Sequence, residues 1–261
     1  MPEATSAPAS ADSIHLLHLG ELHTKRSLTM QDGGDDPVVL PVPAFLITSG
    51  DRRILVDAGM SPDGLRDPEA SWGRLATLFV PEASDEDSLE ARLFQLGLSP
   101  ADITDVVLTH LHYDHAGGVS LLPNAKRWVQ LSEYRTALYP ERHYAGGYFP
   151  NEFGDGYELL AGDATIAPGV HVLSTPGHTH GHQSVLVHIG DSWVCLTGDV
   201  VDDREILDRK RMPAVVVDID AEIRSTARLR LLESALGAQL VFSHDAEQHA
   251  GLAQLPDPIA G

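Results

Sequence analysis

The sequence predicts a mixed α/β fold, and three observations support this prediction. Many short apolar runs have the length of β-strands. Some runs are neighbours joined by turn-forming residues, as in hairpins, whereas others are separated by segments with helical spacing. Because hairpins and helix-separated strands coexist, mixed sheets fit better than a regular alternation of strands and helices.

The chain is predicted to form a single domain over residues 14–261. It has 261 residues, of which 43% are hydrophobic, enough to bury a sizeable core. Residues 1–13 have neither the basic region nor the apolar core of a signal peptide, so we expect a disordered tail. No apolar run approaches the roughly 18 to 20 residues of a membrane span. The cytoplasm is the expected compartment.

Nine apolar runs are predicted strands. The second and third flank the turn-forming tetrad 49–52, which predicts a hairpin, and the fourth leads directly into a histidine-rich segment. In chain order, the predicted strands are 14–19, 43–48, 53–57, 103–108, 128–131, 169–174, 184–189, 192–196 and 239–242.

Two segments show helical spacing. Residues 88–96 carry leucines at intervals of three and four, and Gly97 supplies a stop signal. Residues 221–236 form the second predicted helix. Its apolar stripe consists of Ile223, Ala227, Leu231 and Ala235. Residues 59–87 are too apolar for a solvated linker and too broken by Pro and Gly for one long helix, so this segment could cover a site.

Charge and cysteine content exclude several classes of function. With 38 acidic against 18 basic residues, the formal net charge is −20. Nucleic acids and anionic membranes would be repelled, and we expect a neutral or cationic small-molecule substrate, or none. Cys195 is the single cysteine and lies in a predicted strand, so we interpret it as a core residue, with a metal ligand as the alternative.

The segment 109–118, THLHYDHAGG, carries the strongest functional signal. Residues i and i+2 of an extended segment point the same way, so His110 and His112 can aim two imidazoles at one point. Asp114 and His115 follow at the turn and can address a second point nearby. Nitrogen and oxygen donors without thiolate suit Zn²⁺ first, with Mn²⁺, Co²⁺ or Fe as alternatives. Histidines without function would rarely cluster so closely.

Further donors recur at the ends of later predicted strands. His178 follows the strand 169–174, Asp199 follows 192–196, and His244 follows 239–242. A site for two metals needs donors from outside the first motif, and these three residues can supply them.

These motifs, together with Ile54-Leu55-Val56-Asp57-Ala58-Gly59-Met60, resemble the metallo-β-lactamase superfamily of hydrolases over about residues 43–248. Within it, TPGHTHGHQS at 175–184 and SHDAEQ at 243–248 are similar to N-acyl-homoserine lactonases and related lactone hydrolases. The resemblance implies a four-layer αβ/βα sandwich, two mixed β-sheets flanked by helices. It also implies that one metal is held by His110, His112 and His178, and the other by Asp114, His115 and His244. Asp199 would bridge the two.

The resemblance also implies supporting residues. Asp57 would support the site from nearby, and His182 would be a hydrogen-bond partner rather than a ligand. Homoserine lactonases commonly place a tyrosine three residues after the bridging aspartate, where its hydroxyl meets the substrate carbonyl. Asp202 stands at that position here, and an ionised carboxylate cannot donate this hydrogen bond.

Either a neighbouring hydroxyl compensates for Asp202 or the substrate differs. The candidate hydroxyl donors are Tyr113, Tyr144 and Tyr148. Trp72 and Phe79 are candidates for the lining of an apolar pocket, and ordinary packing explains them equally well.

The expected reaction is the opening of a lactone ring, above all in N-acyl-homoserine lactones, which would amount to quorum quenching. A hydroxide bridging the two metals would attack the carbonyl, with Asp114 and Asp199 as the catalytic carboxylates and Asp114 as the proton shuttle to the alkoxide. Alternatives on the same fold are a carboxylesterase, an organophosphate triesterase or a thioesterase. A non-enzymatic metal-binding protein is the alternative from another class, disfavoured because every expected ligand is present.

The apolar segment 37–43 leaves two interpretations open. It could be the interface arm of a homodimer, or it could pack on its own domain.

Overall fold

Two mixed β-sheets pack face to face in the computed structural model, which describes residues 9–142, 145–209 and 211–259. The first sheet contains β1 (Ser13–Lys25), β2 (Pro37–Ser49), β3 (Arg52–Val56), β4 (Val80–Glu82), β5 (Asp105–Val107), β6 (Lys126–Gln130) and β7 (Tyr157–Leu160). The second contains β8 (Ala164–Ala167), β9 (Val170–Ser174), β10 (Gln183–Ile189), β11 (Ser192–Leu196) and β12 (Gln239–Val241).

Both sheets combine parallel and antiparallel pairs. The first has the order β4-β1-β2-β3-β5-β6-β7, antiparallel from β4 to β3 and parallel from β3 to β7. The second has the order β12-β11-β10-β9-β8, in which only β11 and β12 run parallel. The sequence prediction of mixed sheets is confirmed.

Helices cover the outer face of each sheet. They are α1 (Pro62–Arg66), α2 (Pro68–Trp72), α3 (Leu75–Leu78), α4 (Leu89–Gln95), α5 (Tyr113–Ala116), α6 (Leu131–Leu138), α7 (Pro150–Phe153), α8 (Arg204–Arg209), α9 (Ile219–Leu236) and α10 (Ala246–Gly251). One apolar cluster joins the inner faces of the sheets, and two others join each sheet to its helices. The result is the predicted four-layer sandwich. Within the described ranges, no helix is long and apolar enough to cross a membrane.

All nine predicted strands are present, and three further strands were missed. β4 and β7 each pair with a neighbour over three or four residues, and β8 lies beside β9. The segment 37–43 belongs to β2 and pairs with β1, from Lys25 opposite Pro37 to His18 opposite Pro43. The segment therefore packs on its own domain, and its place in a homodimer interface stays a prediction.

The predicted tail 1–13 needs a correction at its end. Residues 1–8 lie outside the described residues. From residue 9 onward the chain contacts the second sheet: Ala11 is buried, its N–H donates to the carbonyl of His188 at 2.8 Å, and it bridges Ile189. Backbone hydrogen bonds of this kind make residues 9–13 part of the fold.

The predicted stripe of the long helix faces solvent rather than the core. Ile223 is 51% exposed and Leu231 is 62% exposed, whereas Ser225 and Leu229 are buried against the second sheet. The apolar periodicity therefore identified the helix but not its inner face. The broken segment 59–87 forms α1, α2 and α3 followed by β4.

Candidate metal centre

Seven side chains that can bind a metal converge where strands of both sheets end. Each lies in the segment that follows β5, β9, β11 or β12, with Asp114 and His115 in α5. Within each of three groups, the ligand atoms all lie within 4.8 Å of one another. The groups are His110, His112 and His178; His110, His115 and Asp199; and Asp114, His115 and His244.

His110, His112 and His178 form what we call the first cluster. The Nε2 atom of His110 lies 3.0 Å from Nδ1 of His112, which lies 3.1 Å from Nε2 of His178. The ring of His110 is nearly perpendicular to the other two, at 81° and 79°. Burial and neighbouring imidazoles lower the pKa values of His110 and His112 well below the usual range. The cluster thus presents neutral nitrogens facing one another.

Asp114, His115 and His244 form what we call the second cluster. The Oδ2 atom of Asp114 lies 3.7 Å from Nε2 of His115 and 4.0 Å from Nε2 of His244. Burial would lower the pKa of both histidines, but the nearby carboxylates, Asp199 first and then Asp114, together outweigh burial. The pKa of His115 is raised well above its usual range, and that of His244 to about 9.

Asp199 lies between the two clusters. Its Oδ1 is 3.2 Å from Nε2 of His115, and its Oδ2 is 3.3 Å from Nε2 of His244 and 3.6 Å from Nε2 of His178. Burial would raise the pKa of Asp199, but the imidazoles, above all His115 and His244, hold it well below its usual range. A carboxylate in this place can contact ions on both sides.

Two observations show that these residues fit divalent cations. His115 Nε2 and Asp199 Oδ1 are buried and lie 3.2 Å apart as an ion pair, but neither has a hydrogen bond of normal geometry among the described residues, a costly state for polar atoms. The nitrogen separations in the first cluster, 3.0 and 3.1 Å, are close to the ~3.3 Å implied by tetrahedral zinc with bonds of about 2.0–2.1 Å. A cation would satisfy both arrangements.

The outer nitrogens of three histidines are fixed by hydrogen bonds. His115 Nδ1 lies 2.8 Å from Asp57 Oδ2, and Asp57 also accepts from the backbone N–H of Thr109 at 2.7 Å. His178 Nδ1 donates to the Val215 carbonyl at 3.0 Å, and His244 Nδ1 to the Pro41 carbonyl at 2.8 Å. Each bond turns the ring so that Nε2 faces the site.

His182 supports Asp199 without facing the clusters. Its Nε2 accepts from the backbone N–H of Asp199 at 2.9 Å, and its Nδ1 donates to the Thr175 carbonyl at 3.0 Å. Burial lowers the pKa of His182 to about 3, so the ring is neutral and can accept at Nε2. Gly198, in the left-handed region at φ 63°, makes room, because a Cβ there would collide with His182 Nε2.

A cavity of about 300 Å³ opens onto both clusters. His112, Asp114, His178, Asp199 and His244 form its floor. Its walls are mostly apolar and come from β1, β2 and the segment between them, from α3 and the residue after it, and from the loop before α9. The apolar residues are Leu22, Leu28, Leu40, Leu75, Phe79, Ala214 and Val215. The cavity therefore joins a polar floor to apolar walls.

The structure separates the candidate substrate contacts. Phe79, Tyr113 and Asp202 line the cavity, whereas Trp72 and Tyr148 do not. Trp72 packs on Tyr113 at 4.7 Å, and the hydroxyl of Tyr148 donates to Glu133 at 3.0 Å. Tyr144 lies outside the described residues. The buried Tyr113 hydroxyl has no hydrogen-bond partner within the described ranges, and burial raises its pKa well above the usual value.

Sequence reasoning missed two buried acids beside the site. Glu133 in α6 is fully buried and bonded to the loops of the first cluster. Glu222 in α9 is buried beside Gly177, and burial and Asp202 raise its pKa to about 9. Burial and Asp199 likewise raise the pKa of Asp202 well above its usual range. Acidic residues in the first turn of a helix are normally solvated, so nothing in the sequence indicated that either glutamate would be buried beside the site.

Comparisons with known proteins point in one direction. The family model described as "Metallo-beta-lactamase superfamily" matches residues 37–244. An N-acyl homoserine lactonase AttM of Azorhizobium caulinodans is 30% identical over 258 residues, covering 93% of this chain and 97% of the relative. An N-acyl homoserine lactonase of Bacillus cereus is 32% identical over 222 residues, covering 84% and 87%.

A solved structure gives the same result. An N-acyl homoserine lactone hydrolase, with the product N-hexanoyl-L-homoserine bound at its catalytic metal centre, superposes with a TM-score of 0.87 at 27% identity. The match covers 96% of this chain and 100% of the other.

Proposed function

Because this chain belongs to the metallo-β-lactamase superfamily, we propose that it opens the lactone ring of N-acyl-homoserine lactones and so serves quorum quenching. The chain is a metal-dependent hydrolase of that family. One observation carries the choice of substrate: the metal-ligand clusters form the floor of a cavity whose walls are apolar. A molecule with a polar lactone head and an apolar acyl tail matches both parts.

The proposed centre holds two divalent cations, with zinc as the first choice. The first cluster would hold one, the second cluster the other, and Asp199 would bridge them. Cations bound there supply a nucleophile at neutral pH, by lowering the pKa of bound water, and polarise the scissile carbonyl. Imidazole and carboxylate donors without thiolate suit zinc, with manganese, cobalt or iron as the alternatives.

The chain's own residues orient the substrate and handle the proton. Asp114 lines the cavity and carries a carboxylate that can pass a proton to the leaving alkoxide. Tyr113 lines the same cavity with a protonated hydroxyl that is not bonded within the described residues, so it can donate to the substrate carbonyl. In this proposal Tyr113, rather than Asp202, supplies the hydrogen bond to the carbonyl.

The test is a hydrolysis panel on protein of measured metal content. It contains short- and long-chain N-acyl-homoserine lactones, simple γ- and δ-lactones, a phenyl ester, a thioester and a phosphotriester, with proton release followed at neutral pH. We expect acyl-homoserine lactones to be hydrolysed well above the rest, by protein with about two metals per chain.

A preference for the aryl ester or phosphotriester would overturn the lactonase assignment and keep the hydrolase. Asp202 on the cavity wall is the observation that favours this second candidate, because a carboxyl group in place of a phenol alters which carbonyl or phosphoryl group can be bound. Metal binding without hydrolysis of any substrate would instead indicate a metal-binding protein.

A further inference from the structure

Glu133 accepts hydrogen bonds from four groups that belong to three different loops. Its Oε1 accepts from the backbone N–H of Leu111 at 3.0 Å and from the hydroxyl of Tyr148 at 3.0 Å. Its Oε2 accepts from the hydroxyl of Thr179 at 2.6 Å and from the backbone N–H of Gly181 at 3.2 Å. The side chain is fully buried, at 0% exposure.

Three of the four donors lie beside a residue of the first cluster. Leu111 lies between His110 and His112 in the chain, and Thr179 directly follows His178. The ring of Tyr148 lies 4.7 Å from that of His112. One carboxylate therefore ties together the two loops that carry the first cluster and the aromatic ring that packs on one of its members.

The contact is tight and its loss would leave several groups unpaired. A Cβ on Gly181 would collide with the backbone nitrogen of Glu133, so the loop after His178 lies directly on the first turn of α6. Hydrogen bonds to a charged acceptor are about twice as strong as neutral ones, and a buried donor without a partner costs about 1–3 kcal/mol. The four bonds therefore hold the loop of Leu111 and the loop of Thr179 at a fixed separation.

We propose that Glu133 is a positioning residue that fixes the separation of His112 and His178 and thereby sets the affinity of the first cluster for its cation. This inference rests on the ligand assignment in the proposed function. Glu133 does not line the cavity, so it acts through the loops and not on the substrate. The second cluster is held differently: Asp57 fixes His115 and the Pro41 carbonyl fixes His244.

The experiment measures metal affinity with one cluster disabled at a time. His244→Ala leaves the first cluster complete, and His178→Ala leaves the second. Glu133→Gln is added to each, because glutamine keeps the size of the side chain but replaces one accepting oxygen with a donor. Co²⁺ and Zn²⁺ affinities are measured by competition with a chelator.

We expect Glu133→Gln to weaken binding about 10- to 100-fold in the His244→Ala protein, the usual effect of removing such a supporting partner. In the His178→Ala protein we expect no change. Equal losses in both proteins, or no loss in either, would overturn the inference. If His178→Ala and His244→Ala themselves remove no metal, the ligand assignment of the proposed function fails instead.

Two further variants separate positioning from general destabilisation. Asp105→Asn removes another buried carboxylate, bonded to Trp128 and Thr104 at the other end of the first sheet, and should lower thermal stability without changing either affinity. Thr179→Val removes a single donor beside His178 while keeping its shape. It should weaken the first cluster alone, and it carries the test if Glu133→Gln does not fold.

Discussion

Single hydrogen bonds decide which nitrogen of each histidine faces the site. His178, His244 and His182 each donate from Nδ1 to a backbone carbonyl, which fixes the direction in which Nε2 points. In His178 and His244 this nitrogen points to the clusters, whereas in His182 it accepts from the Asp199 backbone. Identical side chains thus face the clusters or support Asp199 according to where Nε2 points.

The sequence predicted the residues of the clusters better than the residues around them. Close spacing of His110, His112, Asp114 and His115 is a local signal that a short segment can show. Glu133 has no such signal, because its partners at residues 111, 148, 179 and 181 come together only in the folded chain. Among three tyrosine candidates the sequence could not choose, since burial and free hydroxyls are tertiary properties.

Replacing Tyr113 with Phe tests the proposed carbonyl donor. Because one hydrogen bond to the reacting carbonyl is worth about 1.4 kcal/mol or more, kcat/KM for lactones should fall about tenfold or further. Metal content should stay unchanged. Tyr139→Phe, at a residue 85% exposed, is the matched control. An unchanged kcat/KM in the Tyr113 variant would remove this role.

His249 should make the fold sensitive to mild acid. Burial lowers its pKa to about 4, below the unfolded value of about 6.5. The unfolded chain therefore binds the proton more readily, so the stability is complete above pH 6.5 and is lost as the pH falls from 6.5 towards 4. The loss should reach about 2 kcal/mol by pH 5.

The variant His249→Gln provides the comparison for this prediction. It can still donate to the Phe242 carbonyl, which His249 Nε2 reaches at 2.7 Å, but it does not titrate. Free energies of unfolding are measured from pH 7 to 5 for both proteins. If the free energy of unfolding changes equally with pH in both proteins, His249 does not contribute to the loss of stability in acid.

At the scale of elements, apolar periodicity identified helices and strands, but it did not always identify which face of an element packs against the core. The predicted strand 184–189 is mostly apolar, and the corresponding β10 is buried on both faces. The exposed apolar stripe of α9 gave the wrong inner face because the buried side chains of this helix include Ala221, Glu222 and Ser225, which apolar periodicity does not identify. β4, β7 and β8 are short and partly exposed, and so lack a continuous apolar run.

Phe79, the residue after α3, should determine the preference for the length of the acyl chain. Phe79 lines the apolar wall of the cavity, so Phe79→Ala removes contact area that only a long tail can use. We expect KM for a long-chain acyl-homoserine lactone to rise about tenfold, with a short-chain substrate changed less than about twofold. Phe94→Ala, at an α4 residue 79% exposed, should change neither. Equal effects on both substrates would contradict this assignment.

At the scale of the whole molecule, the centre connects the two sheets. The first sheet contributes the loop after β5, and the second contributes the loops after β9, β11 and β12. Cations held there should therefore stabilise the whole sandwich, because they bind the folded chain in preference to the unfolded one.

Removal of metal should lower the melting temperature. At a free metal concentration of 100 times Kd, one bound ion contributes about 2.7 kcal/mol, or roughly 5–10 °C for a chain of this size. Thermal unfolding is compared before and after chelation, with metal content measured in each sample. Asp199→Asn, which lacks the proposed bridging carboxylate, should show a smaller shift. Complete metal loss without any shift would contradict this expectation.

The order of the donors along the chain constrains how the centre is assembled during synthesis. Its histidines and aspartates are spread from residue 110 to residue 244, and His244 follows β12, which pairs with β11 only after α9 has been made. A nascent chain that ends before residue 178 lacks a member of each cluster, His178 of the first and His244 of the second. Loading with metal is therefore a late event, and the earlier strands must find their partners without help from an ion.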